Sequence, residues 1–194
     1  MIEGKLDFTF SNNYKVVKFD GTDFYKRYKS MPNGKGVDFI LFSDDRIILL
    51  EIKDCSGYER ENAWRVEPNK ITHKNNTYDE SFDIEIAKKV SSTFSCLVGV
   101  GTYPKIDLTQ DMKELCDVLD KLRRQKTNVS VILFLEGDFH TKTYTKTMVM
   151  GKIKRQIKKY LSSWISNITV NVIDSVKLPS YIKDVKKIFN EIKG

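Results

Sequence analysis

The chain has 194 residues, of which 40% are hydrophobic and 30% are charged, a composition typical of a globular protein and not of a disordered or fibrous one. No apolar run approaches the roughly 20 residues of a membrane-spanning helix, and the polar N-terminus is not a signal peptide, so we expect a single cytoplasmic domain. Three scattered cysteines, two histidines and the lack of a Walker A sequence argue against a zinc site, a Ser/His/Asp hydrolase and an ATPase.

The first third of the chain predicts a helix followed by an antiparallel meander. A short helix is expected from Asp20 to Lys29, followed by a loop at 31–36. Two apolar strands follow at 37–42 and 47–53, and Asp44-Asp45 is a favoured length for the loop of a hairpin. Both faces of these strands are apolar, which is typical of the centre of an α/β sandwich. A third strand is expected at 63–66.

The rest of the chain alternates helices with strands. Apolar residues at helical spacing predict helices at 80–98, 110–125 and 147–164, the last of them strongly basic. Continuous apolar runs predict buried strands at 129–135 and 168–173. Pro179 suits the first turn of a terminal helix through residue 192. The predicted fold is therefore α/β, with a mixed sheet flanked by helices.

The predicted hairpin brings two acids and a lysine together. With Asp44-Asp45 as its loop, residues that face each other across the strands have numbers that sum to 89, so Asp38 faces Glu51 at about 5 Å between Cβ atoms. Lys53 follows Glu51 by two residues and points to the same face. Two carboxylates this close repel each other unless a divalent cation lies between them. The pattern indicates a metal-dependent phosphodiesterase site.

This arrangement resembles the PD-(D/E)XK nuclease superfamily, whose signature is an acid on one core strand and (D/E)-x-K on the next. Asp38 matches the first acid and Glu51-Ile52-Lys53 matches the second half, while Val37 stands where the family name has proline. The resemblance covers residues 19–173. It implies an αβββαβ core like that of restriction endonucleases and Holliday-junction resolvases, with extra helices here.

The resemblance also implies a role for each of these residues. Asp38, Glu51 and the backbone carbonyl of Ile52 would bind Mg²⁺ or Mn²⁺, and Lys53 would stabilise the attacking hydroxide or the charge of the transition state. Family members often add an acid from the first helix, for which Asp23 is the first candidate and Asp20 the second. A polar residue often comes from the helix after the core strands, and the candidates there are Glu85, Lys88 and Lys89. The alternative is a purely structural polar triad.

A basic segment provides a candidate nucleic-acid interface. Net charge is +7, and seven cations with no acid lie between Asp138 and Asp174, from Lys142 to Lys159. Such a one-sign patch suits a phosphate backbone. The residues expected to contact phosphates are Lys152, Lys154, Arg155, Lys158 and Lys159.

These features together predict a nuclease that cuts DNA, as a homodimer or with a protein partner that supplies specificity. Small stand-alone nuclease domains often serve repair, restriction or phage-defence systems. The alternatives are a non-catalytic nucleic-acid-binding or complex-forming subunit on the same fold, and an RNA nuclease.

Overall fold

A computed structural model describes residues 1–29, 34–74, 77–124, 127–140 and 143–188 of the protein. The strands are β1 (Ile2–Glu3), β2 (Leu6–Phe10), β3 (Lys15–Lys18), β4 (Phe39–Phe42), β5 (Arg46–Asp54), β6 (Ile71–Lys74), β7 (Thr77–Glu80), β8 (Asn128–Glu136), β9 (Thr169–Ile173) and β10 (Ile182–Lys187). The α-helices are α1 (Asp23–Tyr28), α2 (Glu59–Asn62), α3 (Phe82–Val100), α4 (Gln110–Leu122) and α5 (Lys146–Leu161). Among the described residues, none of the helices has the length and apolar character that crossing a membrane requires.

The main sheet has five strands in the order β3-β4-β5-β8-β9. Its first three strands pair antiparallel, whereas β5–β8 and β8–β9 pair parallel, so the sheet is mixed. This architecture confirms the predicted α/β class, with a mixed sheet flanked by helices. Parallel pairing also places the C-terminal ends of β5, β8 and β9 at one edge of the sheet, and Lys53 lies at that edge.

The central hairpin β4–β5 has the predicted register. Phe39 lies opposite Leu50, and Ile40 lies opposite Leu49. The backbone N–H of Ser43 donates to the carbonyl of Arg46 at 2.9 Å, which closes a two-residue loop of Asp44 and Asp45. Because side chains alternate along a strand, this register directs the side chains of Asp38, Glu51 and Lys53 to one face of the sheet.

Each face of the main sheet is covered by a different layer. On one face, Ile40 and Leu49 pack in a core with residues of α1, α3, α4 and α5. On the other face, Phe39 and Leu50 pack in a core with residues of the small sheet β1-β2-β10, among them Phe8. The strands are buried on both sides, which explains why β4 is apolar throughout.

The strand predicted at 63–66 is wrong. Residues 63–66 form turns after α2, and the backbone N–H of Arg65 donates to the carbonyl of Asn62 at 2.9 Å. The third antiparallel strand is β3, which precedes the hairpin and pairs with β4. The place beside β5 belongs to β8, so a continuation of the meander on that side is excluded.

The terminal helix predicted at 179–192 is also wrong within the described residues, and its part from 189 onward lies outside them. Residues 182–187 form β10, which pairs antiparallel with β2. A bulge between Ile182 and Asp184 inserts one extra residue, so Ile182 faces Phe10 while Val185 faces Phe8. The bulge therefore brings two apolar residues three positions apart to one face, the spacing that had predicted a helix.

Candidate active site

Asp38 and Glu51 meet where the central hairpin opens. Asp38 lies one residue before β4, and its side chain accepts a 2.7 Å hydrogen bond at Oδ2 from the backbone N–H of Ile52. The two acids are 7% and 1% exposed, respectively. Because the N–H and C=O of a strand residue point to the same side, the Ile52 carbonyl also points towards the Asp38 side of β5. The structure thus brings together the two acids that the sequence indicates, beside the backbone of Ile52.

Lys53 and Lys89 both contact the same oxygen of Glu51. Lys53 Nζ lies 3.0 Å from Glu51 Oε1, and Lys89 Nζ forms a short contact with that atom and lies 3.9 Å from Asp38 Oδ1. A second carboxylate, Glu85, lies 2.7 Å from Lys53 Nζ and also pairs with Arg65. The site is therefore a network of alternating charges in which each lysine bridges at least two acids.

Helix α3 supplies Glu85 and Lys89 from adjacent turns of one face. They are four residues apart, and Thr93 continues the row by accepting a 3.1 Å hydrogen bond from the Val37 backbone N–H. Two of the three helix candidates from the sequence thus lie in the site. The third, Lys88, pairs instead with Glu80, and its side chain is 66% exposed.

Burial dominates the electrostatics of the two strand acids. Burial and the charge of Glu51 raise the pKa of Asp38 to about 8. Burial raises the pKa of Glu51 as well, against the opposing pull of Lys53 and Lys89. Burial would lower the pKa of Lys53, but the carboxylates of Glu51 and Glu85 outweigh it and raise that pKa. Lys53 is therefore positively charged at neutral pH, beside an acid that tends to keep its proton.

Two further acids approach Asp38 from the N-terminal part of the chain. Carboxylate oxygens of Glu3, Asp20 and Asp38 all lie within 4.8 Å of one another. Burial, and after it the charge of Glu3, raises the pKa of Asp20. Lys18 pairs with Glu3 at 3.0 Å and compensates part of this charge.

Two carboxylate oxygens in this region have no hydrogen-bond partner among the described residues. They are Asp20 Oδ1 and Glu51 Oε2, and both are buried. A buried polar oxygen without a partner is costly, and a bound cation would relieve that cost. The candidate donors are all oxygen atoms, from carboxylates and a backbone carbonyl, which is the ligand chemistry that Mg²⁺ and Mn²⁺ prefer.

Asp23 lies outside the acid cluster. It is the first residue of α1, its side chain is 75% exposed, and it pairs with Lys26 at 3.0 Å. Asp20, the second candidate, lies in a 3-10 turn before the helix, because Thr22 is the N-cap of α1. Sequence reasoning missed Glu3, whose only local signal is Gly4-Lys5 before the alternating Leu6, Phe8 and Phe10, which is typical of a hairpin.

A cleft of about 330 Å³ opens beside the site. The tip of the β1–β2 hairpin with Glu3 and Lys5 forms one side, and the segment from Cys55 to Arg65 forms the other. Ile52 and Lys53 line the same cleft, so a ligand that enters it can reach Lys53.

The predicted basic helix is confirmed as α5, and four of its cations are exposed. Val149, Ile153, Ile157 and Leu161 are buried, whereas Lys154, Arg155, Lys158 and Lys159 are exposed. Lys154 donates to Asn171 at 2.8 Å, and the ammonium of Lys152 lies over the ring of Tyr144. Arg155, Lys158 and Lys159 form no ion pair with any described residue. Lys142, at the start of the basic segment, lies outside the described residues.

Comparison with known proteins matches the chain to a family. Neither the curated proteins nor the solved structures contain a match to the chain. A family of unknown function, DUF6661, matches residues 22–189. The matched range contains Asp38, Glu51, Lys53, Glu85 and Lys89, and it begins after Glu3 and Asp20. Because residues 22–189 are most of the 194-residue chain, the chain belongs to the DUF6661 family.

Proposed function

We propose that this protein is a metal-dependent nuclease of the PD-(D/E)XK type that hydrolyses phosphodiester bonds in DNA. The observation that carries the proposal is the meeting of Asp38 and Glu51 at the opening of the hairpin, with Lys53 3.0 Å from Glu51. Burying two acids and a lysine in a central sheet costs stability and contributes nothing that folding requires. Such a cost is typical of a functional site.

The residues present fit a divalent cation. Asp38 is common to both groups of candidate ligands, namely Glu51 with the Ile52 carbonyl on β5 and Asp20 with Glu3 from the N-terminal part. The unpartnered oxygens of Glu51 and Asp20 support this assignment. When bound, Mg²⁺ or Mn²⁺ would lower the pKa of a water ligand and neutralise charge on the phosphate.

The side chains of the chain itself orient and stabilise the reacting groups. The Ile52 N–H holds one oxygen of Asp38 in place, and Glu85 holds Lys53 at 2.7 Å. Since its pKa is raised, Lys53 keeps its charge over the working range of pH and would stabilise negative charge that develops on the attacked phosphate. Arg65, on the other oxygen of Glu85, fixes that carboxylate from the opposite side.

Substrate contact is proposed for the basic face of α5. Lys152, Lys154, Arg155, Lys158 and Lys159 would contact phosphates without reading sequence. Specificity would then come from a homodimer or a protein partner, in the cytoplasm and within a repair, restriction or phage-defence system.

The test is cleavage of supercoiled plasmid and of labelled single-stranded DNA with Mg²⁺ or Mn²⁺. We expect metal-dependent cutting by the wild type and a loss of about 10²–10³-fold in Lys53→Ala. Lys88→Ala is the matched control, because Lys88 is on α3, the helix that supplies Glu85 and Lys89, but its side chain lies outside the site. Cutting that persists in Lys53→Ala would contradict the assignment of the site. DNA binding with no cutting by the wild type would favour the non-catalytic subunit instead.

A further inference from the structure

Tyr58 is exposed although it lines the cleft that contains Lys53. The residue is 56% exposed, and it shares the cleft wall with Asn62 and Arg65. Two other tyrosines, in contrast, are used in packing: Tyr25 is 5% exposed, and Tyr14 packs edge-on against Tyr181. Tyr58 therefore combines a free aromatic ring with a position beside the charge network.

The backbone under the Tyr58 ring is fixed. Its N–H donates to the Cys55 carbonyl at 2.9 Å, and its carbonyl accepts from the backbone and side-chain nitrogens of Asn62 at 3.1 and 2.9 Å. Gly57, at φ +81°, makes the tight turn that precedes it. An aromatic ring on a rigid turn loses little conformational freedom when it binds a flat partner, which is the property of a stacking platform.

The two sides of the cleft are tied to each other. Lys187, on β10 opposite Leu6, donates to Ser56 Oγ at 2.9 Å and so joins the hairpin side to the Tyr58 side. The Ile188 N–H donates to the Lys5 carbonyl at 2.8 Å, which holds the hairpin tip. Lys5 is exposed and forms no ion pair with any described residue. The cleft is thus preformed, with an available cation on one side and an aromatic ring on the other.

The size of the cleft favours an unpaired nucleotide. Its 330 Å³ are at the low end of the roughly 300–1,000 Å³ typical of small-ligand sites, which suits a single nucleotide rather than a base pair. A nucleotide that enters must leave its pairing partner outside, and that costs least when it is already single-stranded. Aromatic stacking accepts any base, so the site would not select sequence.

We propose that Tyr58 stacks on an unpaired base of the substrate and that the substrate is therefore single-stranded or locally unpaired nucleic acid. The proposal rests on the nuclease function proposed above and specifies its substrate class. Stacking at Tyr58 would place the adjoining backbone in the cleft that Lys53 and Lys5 line, so that the same contact selects unpaired strands and directs them to the site.

The test measures binding in EDTA, so that cleavage has no part in the result. Anisotropy of a fluorescein-labelled 15-nucleotide DNA is compared with that of its blunt duplex, and a 2-aminopurine base within the single strand reports stacking. We expect the wild type to prefer the single strand and to quench 2-aminopurine. Tyr58→Ala should bind the single strand roughly 5- to 100-fold more weakly and lose the quenching, while Tyr58→Phe keeps both.

Tyr103→Ala is the matched control, because Tyr103 is also an exposed tyrosine but lies outside this cleft. Equal single-strand affinity of Tyr58→Ala and wild type, or unchanged quenching, would overturn the proposal. So would a wild type that prefers the duplex. Because binding and quenching need no catalysis, a protein that binds in this way but never cuts would contradict the nuclease function and leave the stacking site standing.

Discussion

The backbone N–H of Ile52 donates a 2.7 Å hydrogen bond to the side chain of Asp38, in the place where the ladder between β4 and β5 would continue. The register would set Val37 opposite Ile52, but the Val37 N–H donates instead to Thr93 on α3 at 3.1 Å. The two strands therefore separate beyond the Phe39–Leu50 pair, and the Asp38 carboxylate takes the place of the backbone acceptor of the Ile52 N–H. This parting makes room for two acids inside a sheet that is otherwise apolar.

The acid pair should make the stability of the metal-free protein depend on pH. The folded pKa of Asp38 is about 8, above the 3.8 of an unperturbed aspartate, so the folded state binds more protons between these values. Stability should consequently fall as pH rises from about 4 to about 8. Asp38→Asn keeps an acceptor for the Ile52 N–H and removes the charge, so we expect it to be more stable by roughly 1–3 kcal/mol at pH 8.

Urea unfolding in EDTA at several pH values checks this prediction, with Asp23→Asn as the control. Asp23 is an exposed carboxylate, and its loss should leave the pH profile of the wild type unchanged. A profile of Asp38→Asn that runs parallel to the wild type from pH 4 to pH 8 would show that Asp38 titrates normally and that the pair is not under strain.

The part of the site that follows from local rules could be predicted from the sequence. A two-residue loop fixes the register of a hairpin, so the pairing of Phe39 with Leu50 follows from Asp44 and Asp45. The approach of Asp38 to Glu51, one residue further on, follows from the same register. The helix that carries Glu85 and Lys89 follows from its apolar stripe. The apolar stripe does not show that Lys89 rather than Lys88 enters the site. That depends on how α3 is rotated against the sheet, which is a matter of tertiary packing.

Long-range contacts account for what the sequence did not reveal. Glu3 reaches Asp38 only because β2 packs on the far face of the sheet, and no local pattern encodes that approach. Strand β10 is a similar case, since its bulge gives Ile182 and Val185 a helical spacing. In each instance a tertiary contact overrides or supplements the local signal.

Metal binding should depend on the acids of the N-terminal part as well as on the hairpin. We expect Mg²⁺ to raise the unfolding temperature of the wild type, because it binds the folded state. At a Mg²⁺ concentration 100 times the dissociation constant, this binding adds about 2.7 kcal/mol to the free energy of unfolding. Asp38→Asn should abolish this effect. Glu3→Gln and Asp20→Asn should each weaken Mn²⁺ binding roughly tenfold. Each removes one of the three carboxylates, those of Glu3, Asp20 and Asp38, whose oxygens lie within 4.8 Å of one another.

Thermal unfolding against Mg²⁺ concentration and Mn²⁺ titration by electron paramagnetic resonance measure these effects. Asp23→Asn again serves as the control, and its affinity should equal that of the wild type. If Glu3→Gln and Asp20→Asn bind Mn²⁺ as the wild type does, the cation is held by Asp38 and the β5 residues without them.

Glu85 should stabilise the site by holding two partly buried cations. Burial opposes its ionisation, but Lys53 and Arg65 lower its pKa below the ordinary value, so it contributes stability above that value and loses it in acid. Glu85→Ala leaves both cations without this partner, and we expect a loss of roughly 2–4 kcal/mol of unfolding free energy at pH 7. Cleavage should fall too, because Lys53 loses its support.

Chemical denaturation at pH 7 and pH 4 tests this role, and Asp120→Ala is the control. Asp120 pairs with Arg123 on the surface, where the two side chains are 64% and 66% exposed, so its loss should cost less than about 1 kcal/mol. The difference between the Glu85 variant and the wild type should shrink at the lower pH. Similar losses in the two variants would mean that the buried network adds no more than a surface pair.

The basic face of α5 should govern the salt dependence of DNA binding. Replacing Arg155, Lys158 and Lys159 by glutamine removes three exposed cations that have no ion-pair partner among the described residues. If each contacts one phosphate, the slope of log affinity against log salt should fall by about 2–3.

The control replaces an equal number of exposed lysines outside α5, namely Lys105, Lys113 and Lys183. Both variants change net charge equally, so anisotropy titrations over a range of salt separate direct contact from general attraction. Equal slopes for the two variants would remove α5 from the interface and leave the cleft cations as the source of affinity.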